Sequence, residues 1–187
     1  FRQFHQIGAE ILGVPQPQAD VELIALGSRI LKALGIGDRV ELELNTLGDP
    51  ESRAAYREAL VSYLSQHKSD LSEDSRRRLE NNPLRVLDSK DPKDREIVET
   101  SPNFQQFLSR DSLDFFTQIK EGLDALGVGF RINPRLVRGL DYYTHTVFEF
   151  VTTELGAQGT VLAGGRYDGL VELMGGPAMA GPPINST

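Results

Sequence analysis

Arg138-Gly139-Leu140-Asp141-Tyr142-Tyr143-Thr144 leads almost directly into Val147-Phe148-Glu149-Phe150. An arginine, a glycine, a carboxylate and a tyrosine pair thus stand just before an alternating run of strand type. A guanidinium is planar and permanently charged, and its fork of donors matches carboxylate or phosphate oxygens. Tyrosine combines an apolar ring with one directional hydroxyl, so it can line a pocket and still hold a polar ligand. Such residues at the mouth of a sheet suit a small-molecule site. Read alone, the plainer account is Arg138 paired with Asp141 at a strand start, beside two half-buried tyrosines. One short constellation does not decide between them.

Working outward, the neighbouring segments read as sheet. From Thr146 to Thr152, Val147, Glu149 and Val151 alternate with Phe148, Phe150 and Thr152, which predicts a strand. Upstream, Val128-Gly129-Phe130-Arg131-Ile132 has strand character. Downstream, a strand over Gly159 to Ala163 runs into Gly164-Gly165-Arg166-Tyr167-Asp168-Gly169-Leu170. Two glycines at a strand end let a backbone come close to a ligand, and Arg166, Tyr167 and Asp168 add a donor fork, a hydroxyl and an acceptor. At the start of the chain, Phe4, Gln6, Gly8 and Glu10 would share one face of an extended strand. That face fits either a wet edge strand or a wall for a bound ligand.

Helices account for most of what lies between. Leu23, Leu26, Ile30 and Leu34 recur at helical spacing and predict a helix from about Ala19 to Leu34, ended by Gly35 and Gly37. Val40-Glu41-Leu42-Glu43-Leu44 then alternates strictly, as a half-buried strand does. Asp49-Pro50 reads as a helix start, and the helix is expected to reach about His67. Ser72 caps a charged piece holding Arg76, Arg77 and Arg78, which Pro83 stops. That triplet fits a solvated face balanced by Glu73, Asp74 and Glu80 better than an RNA contact. Asp111 to Leu126 is a further helix, with Leu113, Phe116, Ile119, Leu123 and Leu126 towards a core and Gly127 at its end. The expected organisation is a core over 1–48, a mostly helical insertion over 49–126, a second core part over 127–176, and a tail over 177–187.

Composition narrows the class. The 187 residues hold 39% apolar and 25% charged side chains, as ordinary globular proteins do. No apolar run approaches the ~20 residues of a membrane span. Without cysteine, disulfides and thiolate zinc sites are excluded, and three scattered histidines make a dedicated metal cage unexpected. A net charge of −7 argues against nonspecific wrapping of nucleic acid.

Four stretches together resemble one family. Arg2-Gln3-Phe4-His5-Gln6-Ile7-Gly8-Ala9-Glu10 is similar to the second half of motif 2 of histidyl-tRNA synthetases. Arg138 to Thr144 resembles the first histidine-specific signature of that family, and Ala163 to Leu170 resembles the second. Asn82-Pro83-Leu84-Arg85-Val86-Leu87-Asp88-Ser89-Lys90 is similar to the family's insertion domain. The likeness extends to about Gly176.

The resemblance implies an α+β fold: a class II synthetase-like antiparallel sheet with flanking helices and a mostly helical insertion. It implies a cytoplasmic ligase that activates L-histidine with ATP and Mg²⁺, then charges tRNA(His), as a homodimer. Matched by motif position, Gln6 would hold the α-amino group of histidine. Glu10 and Tyr143 would bind the imidazole, with Tyr142 and Tyr167 completing the pocket. Phe4 would stack on adenine, and Arg138 would be catalytic, between the substrate carboxylate and the α-phosphate of ATP. Motif 1, the first half of motif 2, motif 3 and an anticodon-binding domain find no match. An internal piece of a synthetase, poorly active alone, is therefore expected. Two relatives of other function share such features: a regulatory subunit of ATP phosphoribosyltransferase and a tRNA-sensing domain. Arg138, Tyr143 and the long insertion favour the ligase.

Overall fold

The computed structural model describes residues 3, 5–137, 142–154 and 159–177. Its first helix, α1 (Pro17–Ala33), starts two residues earlier than the apolar spacing predicts, because Pro17 suits a first helical turn. The next four helices each begin after a side chain that accepts a hydrogen bond from a backbone N–H ahead of it. Asp49 caps α2 (Pro50–Gln66), Ser72 caps α3 (Glu73–Asn81), Asp91 caps α4 (Pro92–Glu99) and Ser109 caps α5 (Arg110–Ala125). A single turn, α6 (Leu170–Leu173), follows the second glycine-rich signature.

Among the described residues four strands form one sheet: β1 (Glu41–Thr46), β2 (Arg131–Ile132), β3 (Thr144–Val151) and β4 (Thr160–Arg166), in the order β2-β1-β3-β4. The expected α+β fold, a sheet flanked by helices, is present, and the sheet is mixed. β1 runs parallel to β2, and only the β1–β3 and β3–β4 pairs are antiparallel. The long helical passage between β1 and β2 permits this, since a parallel pair needs a crossover.

Period-two alternation gives the sheet two different faces. Leu42, Leu44, Phe148 and Phe150 pack with Val21, Ile24 and Leu31 of α1 and with Phe116, Ile119 and Leu123 of α5. On the opposite face Val147 joins Leu47, Leu136, Tyr143 and Tyr167. Helices α2 to α4 close on their own apolar cluster, which includes Tyr56, Leu60, Leu64, Leu79 and Val98. Within the helical stretch 49–126, α5 therefore belongs with the sheet, while α2 to α4 have a separate core.

Several local expectations change. Residues 5–12 join no strand; among the described residues nothing pairs with them as a ladder, and alternation without a partner makes no sheet. In α1 the buried stripe runs through Asp20, Val21, Ile24, Gly27 and Leu31, while Leu26 and Leu34 are exposed. In α5, Leu113 and Leu126 likewise face solvent. Of Val128 to Ile132 only the last two residues pair, and β4 continues through Gly164 and Gly165 to Arg166. Two arginines of the triplet are paired: Arg77 and Arg78 both reach Asp74, at 2.5 and 2.6 Å. The expected tail lies outside the described residues except for position 177.

Candidate functional site

The pocket face of the sheet is built around a glycine. A Cβ on Gly165 would lie 2.8 Å from Cδ1 of Tyr143 and 2.9 Å from the Thr146 carbonyl oxygen, so only glycine lets the Tyr143 ring lie against β4 here. Tyr167, two positions on, faces the same way. The rings of Tyr143 and Tyr167 meet edge to face at 5.8 Å, and Tyr142 lies 4.8 Å from one and 5.4 Å from the other. Three phenols therefore form one wall. The Tyr167 hydroxyl donates to Glu10 Oε1 at 3.1 Å, which brings the N-terminal stretch to that wall. Burial, followed by the negative charge of Glu10, pushes the Tyr167 phenol well above its usual range, so it stays a donor.

The backbone leading into this wall is pinned. His145 has φ of 44°, an uncommon conformation for a side-chain-bearing residue. Its N–H donates to the Gly48 carbonyl at 2.7 Å, and its carbonyl accepts from Leu47 N–H at 2.6 Å. These two bonds tie the start of β3 to the end of β1. The imidazole stacks on Phe115 at 4.5 Å, and burial lowers its pKa, which favours the neutral ring. From α2, Arg53 donates to the Tyr143 carbonyl, so the helical layer also touches the site. Arg53, Arg57, Tyr142, Thr144 and Asp168 line an adjoining open cleft of about 620 Å³.

Arg166 departs from its expected place. It is buried on the core face, not presented to a ligand, because β4 turns residues 166 and 167 to opposite sides. Its guanidinium donates to Asp20 Oδ2 at 3.0 Å, to Asp168 Oδ1 at 2.9 Å and to the Val14 carbonyl at 2.8 Å.

Comparison with known proteins shows the family. The family model described as "Histidyl-tRNA synthetase" matches residues 1–181. The chain belongs to the histidyl-tRNA synthetase family. It is 63% identical over 180 residues to a histidine–tRNA ligase of Rhodospirillum rubrum, covering 96% of this chain and 43% of that protein. It is 60% identical over 179 residues to the corresponding ligase of Gluconobacter oxydans, with the same two coverages. The crystal structure of apo S. aureus histidyl-tRNA synthetase superposes with a TM-score of 0.76 at 35% identity, over 99% of this chain and 45% of that one. The chain thus spans less than half the length of these relatives.

In this member of the histidyl-tRNA synthetase family, four of the residues matched to the histidine pocket come together: Glu10, Tyr142, Tyr143 and Tyr167. Gln6 lies on the same N-terminal stretch, exposed, four positions before Glu10. Phe4 and Arg138 lie outside the described residues. Sequence reasoning missed Asp20, Val14, Thr146 and the role of Gly165. Asp20 offered one signal, a carboxylate on the apolar face of a helix. Among the described residues no group of three histidines and carboxylates gathers to hold a metal, and no helix is long and apolar enough to cross a membrane.

Proposed function

We propose that this chain supplies the histidine-recognising part of a histidine–tRNA ligase. The reading rests on the Glu10–Tyr167 hydrogen bond set against three mutually packed tyrosines. A carboxylate and a phenol can meet the two ring nitrogens of an imidazole, one accepting and one offering a hydroxyl. Glu10 and Tyr143 fill those roles, and Tyr142 and Tyr167 enclose them. Gln6 holds the α-amino group. A site that pairs both nitrogens rejects apolar side chains of similar size, since its own polar groups would be left without partners.

In the reaction the histidine carboxylate attacks the α-phosphorus of ATP, supplied with Mg²⁺. A C–O–P bond forms, and the bond to the leaving pyrophosphate breaks. Two anions meet, so positioning and cationic stabilisation carry the catalysis. Arg138 takes the cationic role, and Phe4 stacks on adenine. A ribose hydroxyl at the end of tRNA(His) then attacks the carbonyl carbon of the histidyl-adenylate, forming the ester and releasing AMP. A cytoplasmic homodimer is the expected setting.

Calorimetry on the full-length protein tests this reading. Histidine should bind, and Glu10→Gln should weaken histidine more than ATP; equal losses of both would give Glu10 a structural role instead. In pyrophosphate exchange, Arg138→Ala should cost roughly 2–4 kcal/mol of activation, and an unchanged rate would remove Arg138 from the mechanism.

A further inference from the structure

Residues 166 and 167 both reach back to the first twenty residues, from opposite sides of the sheet. On the core face, Arg166 is 1% exposed and spans three acceptors in three segments. These are Asp20 in α1, Asp168 in the turn after β4, and the Val14 carbonyl in the connector before α1. Its guanidinium also lies 5.0 Å from the centre of the Phe115 ring. Thr146 donates to the same Asp20 oxygen, and Thr144, next to Tyr143, donates to Asp168. On the pocket face, Tyr167 holds Glu10.

The stretch containing Glu10 takes no part in the sheet. Its placement therefore depends on side-chain contacts and on where the chain is anchored next. That anchor is Val14, four residues on, and four extended residues reach at most about 14 Å. A buried ion pair is a weak source of stability, since apolar side chains of equal volume serve as well. A planar fork meeting three fixed acceptors is, however, a strong source of geometry.

We propose that Arg166 is a positioning residue for the amino-acid pocket. By fixing Val14 and Asp20 against the end of β4, it sets where Glu10 meets Tyr167. This inference rests on the reading of Glu10 and Tyr167 as walls of the histidine pocket.

The experiment is a mutant cycle in the full-length protein, read by calorimetry with histidine and, separately, with ATP. Arg166→Lys keeps the charge and loses the fork. It should weaken histidine about tenfold and change ATP affinity by less than about twofold. Adding Arg166→Lys to Tyr167→Phe should then cost less than about twofold more, because both act through one contact. Losses that multiply in full would overturn the proposal, as would equal weakening of both ligands.

A second variant guards against misfolding. Arg166→Met combined with Asp20→Leu replaces the pair by apolar side chains and should keep the melting temperature. Weak histidine binding at normal stability supports positioning, whereas normal histidine binding overturns it. If wild-type protein bound no histidine, the pocket reading itself would fall. If Tyr167→Phe weakens histidine as expected and Arg166→Lys multiplies that loss, only the role of Arg166 falls.

Discussion

The phenol of Tyr167 donates to Glu10 Oε1 at 3.1 Å, although the two residues stand 157 positions apart. It couples a stretch outside the sheet to the strand end that carries the second glycine-rich signature.

Removing that hydroxyl is a clean test. Tyr167→Phe keeps the ring and its contacts with Tyr142 and Tyr143. A hydrogen bond to a charged group contributes about 1.5–3 kcal/mol, so histidine affinity should fall roughly ten- to a hundredfold. Calorimetry with histidine measures this, and ATP binding serves as the control.

Gly165 should not tolerate a methyl group. Gly165→Ala places a carbon 2.8 Å from the Tyr143 ring and 2.9 Å from a backbone carbonyl. Overpacking of that kind costs about 1–3 kcal/mol. Gly169→Ala, where nothing lies within 4 Å, should change stability by less than about 0.5 kcal/mol. Denaturant melts of the two variants side by side check the contrast.

Three aspartates should give opposite pH signatures. At Asp49 and Asp94 burial raises the pKa, but hydrogen bonds from serines outweigh it and leave both carboxyls below 3.8. Their contribution to stability is present above about pH 4 and is lost as the pH falls towards the folded values. At Asp20 burial dominates over the neighbouring Arg166 and pushes the pKa from 3.8 up to about 6. The folded state there binds the proton more tightly, so stability falls as pH rises from about 4 to 6. Asp20→Asn should remove that downward slope, while Asp49→Asn and Asp94→Asn should reduce the loss in acid. Thermal melts between pH 2.5 and 7 separate the cases.

Two residues of α5 that share an apolar spacing should differ sharply. Ile119 is fully buried against the sheet, whereas Leu113 is 42% exposed. Ile119→Ala should cost about 2–5 kcal/mol, and Leu113→Ala less than about 1 kcal/mol. Equilibrium unfolding in urea measures both.

What was legible in the sequence was local. Asp49-Pro50 and Ser72 announce helix starts because a capping oxygen and the backbone N–H that donates to it lie within three residues. The two tyrosine-bearing signatures pointed to a shared pocket, and the rings do meet. The choice of face was less legible. Arg166 reads as a ligand donor until the register places Gly164 opposite Phe148, which turns residue 166 towards α1. Its carboxylate partner in α1, Asp20, lies 146 positions away, and no local pattern marks that pairing. Residues 5–12 misled for the converse reason: alternation describes one strand, but a ladder needs two.

Asp49 ties two helix starts together. It caps α2 and also accepts from Ser109 and Ser112 at the start of α5, while Ser109 N–H donates to Ser52 Oγ. The chain therefore departs from the sheet layer and rejoins it at a single carboxylate. Closing a loop depends only slowly on its length, so the excursion between can lengthen or shorten at little cost. Residues added to its exposed turns should therefore be tolerated as long as the knot at its base and the core of α2 to α4 are kept.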